Sequence, residues 1–145
     1  KLGVSYVPEY AITYLDNLTY SYTQDDLLKI ALGQIELWEV NIDPILIADT
    51  DLVVIAIWSK VVFGHIDHKL CELIVSYRFD HYFLCSPDIP WEEGPHRVNP
   101  NDRDVLFSMY LDLLVTLDFP FTIVNGNTEE RLKTVLEVIS TINVN

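Results

Sequence analysis

Pro44-Ile45-Leu46-Ile47-Ala48-Asp49-Thr50-Asp51, followed by the apolar stretch from Leu52 to Phe63, is the part of the chain that decides the fold. A short apolar run without polar alternation is what a strand carries when helices cover both of its faces. Asp49-Thr50-Asp51 breaks the run, and the residues from Leu52 to Phe63 are apolar enough for a mostly buried helix that Gly64 stops. Strand, acidic turn and helix in that order are one half of a βαβ unit.

The same order recurs on either side. Toward the N-terminus, Val4-Ser5-Tyr6-Val7 reads as a strand that Pro8 ends, with a brief helix over Glu9 to Leu15 behind it. Thr23 is an N-cap with Asp26 three residues on, and Leu27, Ile30, Ala31, Ile35 and Trp38 recur at helical spacing to about Val40. Toward the C-terminus, a helix is expected over Asp67 to Tyr77 and a strand over His81 to Cys85. Ser86 to Pro100 is a long loop rich in proline and charge. Asn101 then caps a helix carrying Val105, Leu106, Met109, Leu113 and Leu114, which ends near Asp118. Phe121-Thr122-Ile123-Val124 is a further strand, Asn125-Gly126-Asn127 a turn, and Thr128 opens a last amphipathic helix through Leu132, Val135, Leu136 and Ile139. Strands alternating with helices predict an α/β fold with a parallel sheet.

The 145 residues suit a single domain spanning 1–145, and an apolar half is enough to bury a core. With 22 acidic residues against 9 basic ones, the formal charge of −13 repels phosphate backbones and anionic lipid surfaces, which argues against nucleic-acid and peripheral-membrane partners. An anionic small molecule stays open, because a bound magnesium ion and a few focused basic groups reverse the local field. The two cysteines, Cys71 and Cys85, form no secreted disulfide pattern, and no window has the apolar length of a membrane span. The expected location is the cytoplasm.

Ligands of an open parallel sheet bind beyond the carboxyl ends of its strands. Asp49, Thr50 and Asp51 follow one strand, Asp88, Trp91, Glu92, Glu93 and Arg97 another, and Asn125 and Asn127 the last. Asp49 and Asp51 suit a magnesium ion or a general base; equally, Asp49 or Thr50 caps the next helix and Asp51 complements its dipole. Arg97 and Arg103 bracket the long loop, as in a lid that closes on a transferring phosphoryl group, with a surface ion pair to Glu92, Glu93 or Asp104 as the plainer reading. His65, His68 and Cys71 fall at i, i+3 and i+6, but nothing nearby completes a ligand set, so they read as a solvated helix face. Cys85, inside an apolar strand, reads as an inert core residue.

Several pieces occur in order: Tyr6-Val7-Pro8-Glu9-Tyr10-Ala11, Ile30-Ala31-Leu32-Gly33-Gln34, Asp49-Thr50-Asp51, Trp58-Ser59 with Phe63-Gly64, Asp88-Ile89-Pro90-Trp91 through Arg97, Asn99-Pro100-Asn101-Asp102-Arg103, and Gly126 with Glu130-Arg131-Leu132. Together they resemble the P-loop ATPase/kinase domain found as the ribosylnicotinamide kinase half of bifunctional NAD-biosynthesis regulators and as stand-alone bacterial relatives. The resemblance implies a three-layer, parallel-sheet P-loop NTPase-like fold and ATP-dependent phosphorylation of a nucleoside, nicotinamide riboside or a relative, with Mg2+. It implies Asp49 and Asp51 near the metal and the substrate hydroxyl, and Glu9 and Tyr10 lining the acceptor site. Trp58 and Trp91 would pack near that site, Arg97 and Arg103 would belong to the lid, and Asn125 to Asn127 would lie near the adenine. A non-catalytic nucleotide-binding or regulatory module of the same fold, or an ATPase with another acceptor, are the alternatives.

Two departures accompany the resemblance. Ile12 stands where the family usually carries an arginine. The glycine-rich loop ending in Gly-Lys-Ser/Thr, which wraps phosphates in backbone N–H groups, does not occur in these residues. The resemblance places that loop and the first strand upstream of Lys1-Leu2-Gly3, which itself reads like the end of a helix, so an N-terminal extension is expected.

Overall fold

Apolar spacing and caps fix the elements of the first compact unit, which clusters as Lys1–Arg78. The computed structural model describes residues 4–92 and 101–142. In chain order the first unit holds β1 (Val4–Val7), α1 (Tyr10–Asp16), α2 (Gln24–Glu39), β2 (Ile45–Ala48), α3 (Leu52–Phe63) and α4 (His68–Ser76). The second, Phe79–Asn145, holds β3 (Tyr82–Cys85), α5 (Arg103–Thr116), β4 (Phe121–Val124) and α6 (Thr128–Ile142). The expected Lys1-Leu2-Gly3 helix end lies outside the described residues.

Both strand pairs are parallel. Val4 pairs with Ile45 through to Val7 with Ala48, and Tyr82 pairs with Phe121 through to Cys85 with Val124. Each ladder runs one step past its strands: the Asp49 N–H donates to the Val7 carbonyl at 3.1 Å, and the Ser86 N–H to the Val124 carbonyl at 2.8 Å. The carboxyl ends of paired strands therefore lie level, and the segments that follow them leave side by side.

The core of the first unit is built on three helices. Leu27, Ile30, Ala31, Ile35 and Trp38 of α2 are buried with Leu52, Val53, Ile55, Ala56 and Ile57 of α3 and Leu70 and Ile74 of α4. Each fully buried Leu or Ile contributes about 1.5–3 kcal/mol. The start of α2 is fixed by a reciprocal capping box between Thr23 and Asp26. Asp26 is itself buried, and its carboxylate accepts from Tyr14, Tyr20, the Thr23 N–H and hydroxyl, and Lys29. Lys29 first, then the Thr23 backbone and Tyr14, hold this carboxyl far below the usual carboxylate range. α3 ends at Gly64, whose φ of 81° is a left-handed stop.

In the second unit, Leu114, Phe119 and Val124 are buried, and Tyr82 stacks on Phe119 with ring centroids 5.2 Å apart. Asp118, at φ 53°, turns the chain from α5 toward β4.

Three expectations are corrected. The strands are less covered than a strand buried on both faces would be: in β2 only partial burial is reached and Ile47 is exposed, because Tyr6 and Ile47, paired in register, share an open face. Cys85 is exposed at the last position of β3 and is not a core residue. Asp102, not Asn101, is the residue before the first turn of α5, and it makes no side-chain cap there.

Candidate functional site

Four segments carry most of the sequence-predicted site residues, and they fall two to a unit; Trp58 lies on α3 and Arg103 opens α5. In the first unit, Pro8, Glu9 and Tyr10 follow β1, while Asp49, Thr50 and Asp51 follow the adjacent β2. In the second, residues 86–92 follow β3, and Asn125, Gly126 and Asn127 follow the adjacent β4.

Asp49 and Asp51 differ sharply in setting. Asp49 is exposed, and the Tyr6 hydroxyl reaches across from β1 to donate to its Oδ2 at 3.0 Å; that carboxylate in turn raises the Tyr6 pKa. Asp51 caps α3, its Oδ1 accepting from the Val54 N–H at 3.2 Å. Its Oδ2 is buried without a hydrogen-bond partner among the described residues. Burial pushes the Asp51 carboxyl up to about 6, against the pull of the α3 N–H groups. The cap of α3 is therefore Asp51 itself, through one oxygen, and not Asp49 or Thr50, while the other Asp51 oxygen takes no part in the cap. An orphaned acidic oxygen suits a hard cation or a hydroxyl proton, both of which it would take readily.

Beside these carboxylates the chain leaving β1 is pinned to α2. Gln34, fully buried, accepts from the Tyr10 N–H at 2.8 Å and donates to the Pro8 carbonyl at 3.2 Å. The Tyr10 ring lies against Gly33, where a Cβ would come within 2.6 Å of its Cδ1 and Cζ atoms. The Gly33-Gln34 pair therefore places Glu9 and Tyr10 next to the acidic turn. Tyr6 and Gln34 stand in the sequence pieces that carry the resemblance but without a role; strand register brings Tyr6 to Asp49, and the packing of α2 on the chain leaving β1 brings Gln34 to Pro8 and Tyr10. Trp58, on α3, donates its indole N–H to Tyr22 at 3.0 Å with the rings edge to face.

In the second unit the arginines are engaged with backbone. Arg103 donates to the Pro87 carbonyl at 2.9 Å and to the Ile89 carbonyl at 2.6 Å. Arg131, to which the sequence reading gives no role, donates through Nε to the Gly126 carbonyl at 2.8 Å and through Nη2 to the Ser86 carbonyl at 3.1 Å and to Asp88. Asp88 accepts from the Gly126 N–H at 2.6 Å, which together with Arg131 lowers its pKa. Asn127 caps α6, its Oδ1 accepting from the Glu129 and Glu130 N–H groups, while Glu130 accepts from the Asn127 N–H at 2.8 Å. Asn125 is exposed in the same turn, and Trp91 is exposed after β3. Arg97 and Glu93 lie outside the described residues.

The two histidines on the α3–α4 side also have local partners. His65 Nε2 lies 3.0 Å from the Gln24 amide, and His68 Nδ1 is 3.6 Å from Glu72.

Both strand pairs are parallel and carry polar segments beyond their carboxyl ends, where ligands of α/β sheets bind. The sequence model described as AAA domain matches residues 1–131. The chain belongs to the AAA domain family. It is accordingly a P-loop NTPase-type, nucleotide-binding domain. A search of curated proteins finds no match to this AAA domain. Among its described residues no helix is long and apolar enough to cross a membrane.

Proposed function

We propose that this AAA domain belongs to an ATP-dependent nucleoside kinase whose acceptor is nicotinamide riboside or a related nucleoside, working in the cytoplasm with Mg2+. The observation that carries the reading is Asp51: a carboxyl pushed up to about 6, with one buried oxygen lacking a partner among the described residues, beyond the carboxyl end of a parallel strand in a P-loop NTPase-type family. A cap alone needs no second buried oxygen.

The residues fit the group they would hold. Asp49 and Asp51 supply oxygen ligands of the kind Mg2+ takes, and a bound Mg2+ neutralises charge on the transferring phosphoryl group. Asp51 accepts the proton of the acceptor hydroxyl as that oxygen attacks, a task its raised pKa suits because a base is most effective near the working pH. Asp49, steadied by the Tyr6 hydroxyl, holds negative charge beside it. Glu9 and Tyr10, held by Gln34, are the acceptor-facing residues, and Trp58 and Trp91 are assigned to packing around the nucleoside. Arg97 and Arg103 are assigned to the lid, where Arg103 holds the Pro87 and Ile89 carbonyls of the segment after β3. The Asn125 and Asn127 turn is assigned to the adenine. This reading carries with it a three-layer parallel sheet and a Gly-Lys-Ser/Thr phosphate loop. No nucleic-acid or membrane partner is proposed.

The test is phosphoryl transfer from ATP to nicotinamide riboside by the full natural protein. Product formation that falls by at least about 100-fold in Asp51→Asn, as removal of a general base does, supports the assignment. Turnover unchanged in both Asp49→Asn and Asp51→Asn removes it.

A further inference from the structure

Tyr6 covers little for so large a side chain. On β1 it stands opposite Ile47 in register, and 62% of its surface is exposed. Its hydroxyl reaches beyond Ile47 to Asp49, two residues further along the neighbouring chain, and donates to Oδ2 at 3.0 Å. The Asp49 N–H is fixed on the Val7 carbonyl at 3.1 Å. Two consecutive residues of β1 therefore hold Asp49, one by its backbone and one by its carboxylate. A solvent-exposed hydrogen bond between side chains adds little to stability, so the larger effect of the Tyr6 hydroxyl is on where the carboxylate points.

The consequence lies in the oxygens that remain. Tyr6 occupies Oδ2 of Asp49, and the Val54 N–H occupies Oδ1 of Asp51. An oxygen that already holds a proton donor is the poorer metal ligand, so each carboxylate presents one oxygen: Oδ1 of Asp49, and the buried Oδ2 of Asp51, which lacks a partner among the described residues. Among the described residues no group of three or more acidic, histidine or cysteine side chains could hold a metal ion. Two single oxygens are a poor offer to Ca2+, which takes about six to eight oxygen ligands and readily grips a carboxylate by both. They suit Mg2+, which keeps several waters and uses one or two carboxylates together with substrate phosphates.

We infer that Tyr6 is a positioning residue that confines Asp49 to one ligand oxygen, and so tunes the end of β2 to the Mg2+ form of a nucleoside triphosphate over the Ca2+ form. The inference rests on the kinase-like reading above for the place of the metal. Tyr6 itself touches neither the metal nor the reacting atoms.

The experiment is calorimetric titration of ATP into the full natural protein and its Tyr6→Phe variant in Mg2+, in Ca2+ and in chelator, with melting temperatures recorded alongside. Tyr6→Phe keeps the ring opposite Ile47 and deletes only the hydroxyl. Wild type should bind ATP more tightly in Mg2+ than in Ca2+. A hydrogen bond behind a metal ligand is commonly worth about 10- to 100-fold in metal affinity, so the variant should lose about tenfold in Mg2+ and nothing in chelator. With Asp49 released to use both oxygens, binding in Ca2+ should hold or tighten, and the Mg2+/Ca2+ ratio should fall toward one. A purely structural role would move all three affinities together. An equal loss in all three media, or a ratio unchanged in the folded variant, overturns the inference, as does a wild type whose ATP affinity ignores Mg2+. The readout needs no phosphoryl acceptor: the expected shift in ratio without phosphorylation of any nucleoside supports this inference and refutes the kinase reading.

Discussion

Replacing Asp51 by Asn should make the protein more stable at neutral pH and no more stable in acid. The physical cause is the buried Oδ2, which raises the folded-state carboxyl from an ordinary 3.8 to about 6. A difference of about 2 units at 1.36 kcal/mol each is about 3 kcal/mol. The sign follows from proton binding. Between pH 3.8 and 6 the folded protein holds a proton on Asp51 that the unfolded chain has released, so stability is fully present below that window and lost as pH rises through it. The Asp51→Asn side chain would keep the α3 cap, because an asparagine oxygen accepts the Val54 N–H as well, and it cannot ionise. Urea unfolding midpoints of wild type and Asp51→Asn, measured with a chelator present from pH 4 to pH 8, give the comparison. The two should nearly coincide at pH 4 and diverge by up to about 3 kcal/mol above pH 6, with the variant the more stable. Parallel curves over the whole range would show that Asp51 is not strained, and the carboxylate would lose its claim as a poised base.

Other outcomes follow from the same geometry. Gly33→Ala should cost about 1–3 kcal/mol by driving a methyl into the Tyr10 ring, with a matching loss of acceptor binding; a thermal melt at wild-type temperature would contradict the packing described. Gly64→Ala meets no neighbour, so only its left-handed backbone matters, and a loss of about 1 kcal/mol in chemical denaturation is expected. Asp26→Asn should lower the melting temperature most above pH 4 and least in strong acid, because a carboxyl with a depressed pKa stabilises above its unfolded value of 3.8 and loses that effect as pH falls; a pH-independent penalty would argue that its hydrogen bonds, not its charge, matter.

Much of the fold was readable in the residues because local signals agreed with one another. The unbroken apolar run before Asp49 marked β2, Gly64 marked the end of α3 to the residue, and Thr23 with Asp26 marked the start of α2. Strand direction followed from the alternation, and both ladders are parallel. What periodicity did not carry was coverage. Cys85 looked like core because its neighbours are apolar, yet its exposure depends on what packs over β3, which is a tertiary fact.

The site was legible as a location and less so as a set of contacts. Asp49 and Asp51 stood out as paired carboxylates beyond the carboxyl end of a strand, where ligands of a parallel sheet bind. Their division into an exposed tyrosine-held group and a buried cap depended on Tyr6, 43 residues away in sequence, which only strand register brings near. Arg103 was noticed for its scarcity, but its carbonyl partners Pro87 and Ile89 lie 14 to 16 residues back in an irregular segment. Arg131 stands in the sequence as part of the Glu130-Arg131-Leu132 piece but without a role, and its grip on Ser86 and Asp88 exists only because β3 and β4 are neighbours.

Titration of ATP into the full natural protein, with and without Mg2+ and then into an Asp49→Asn/Asp51→Asn double variant, tests the central assignment most directly. Binding that tightens with Mg2+ in wild type and ignores Mg2+ in the double variant is the expected result. A magnesium effect of equal size in both proteins would contradict the placement of the metal and the chemistry at the end of β2.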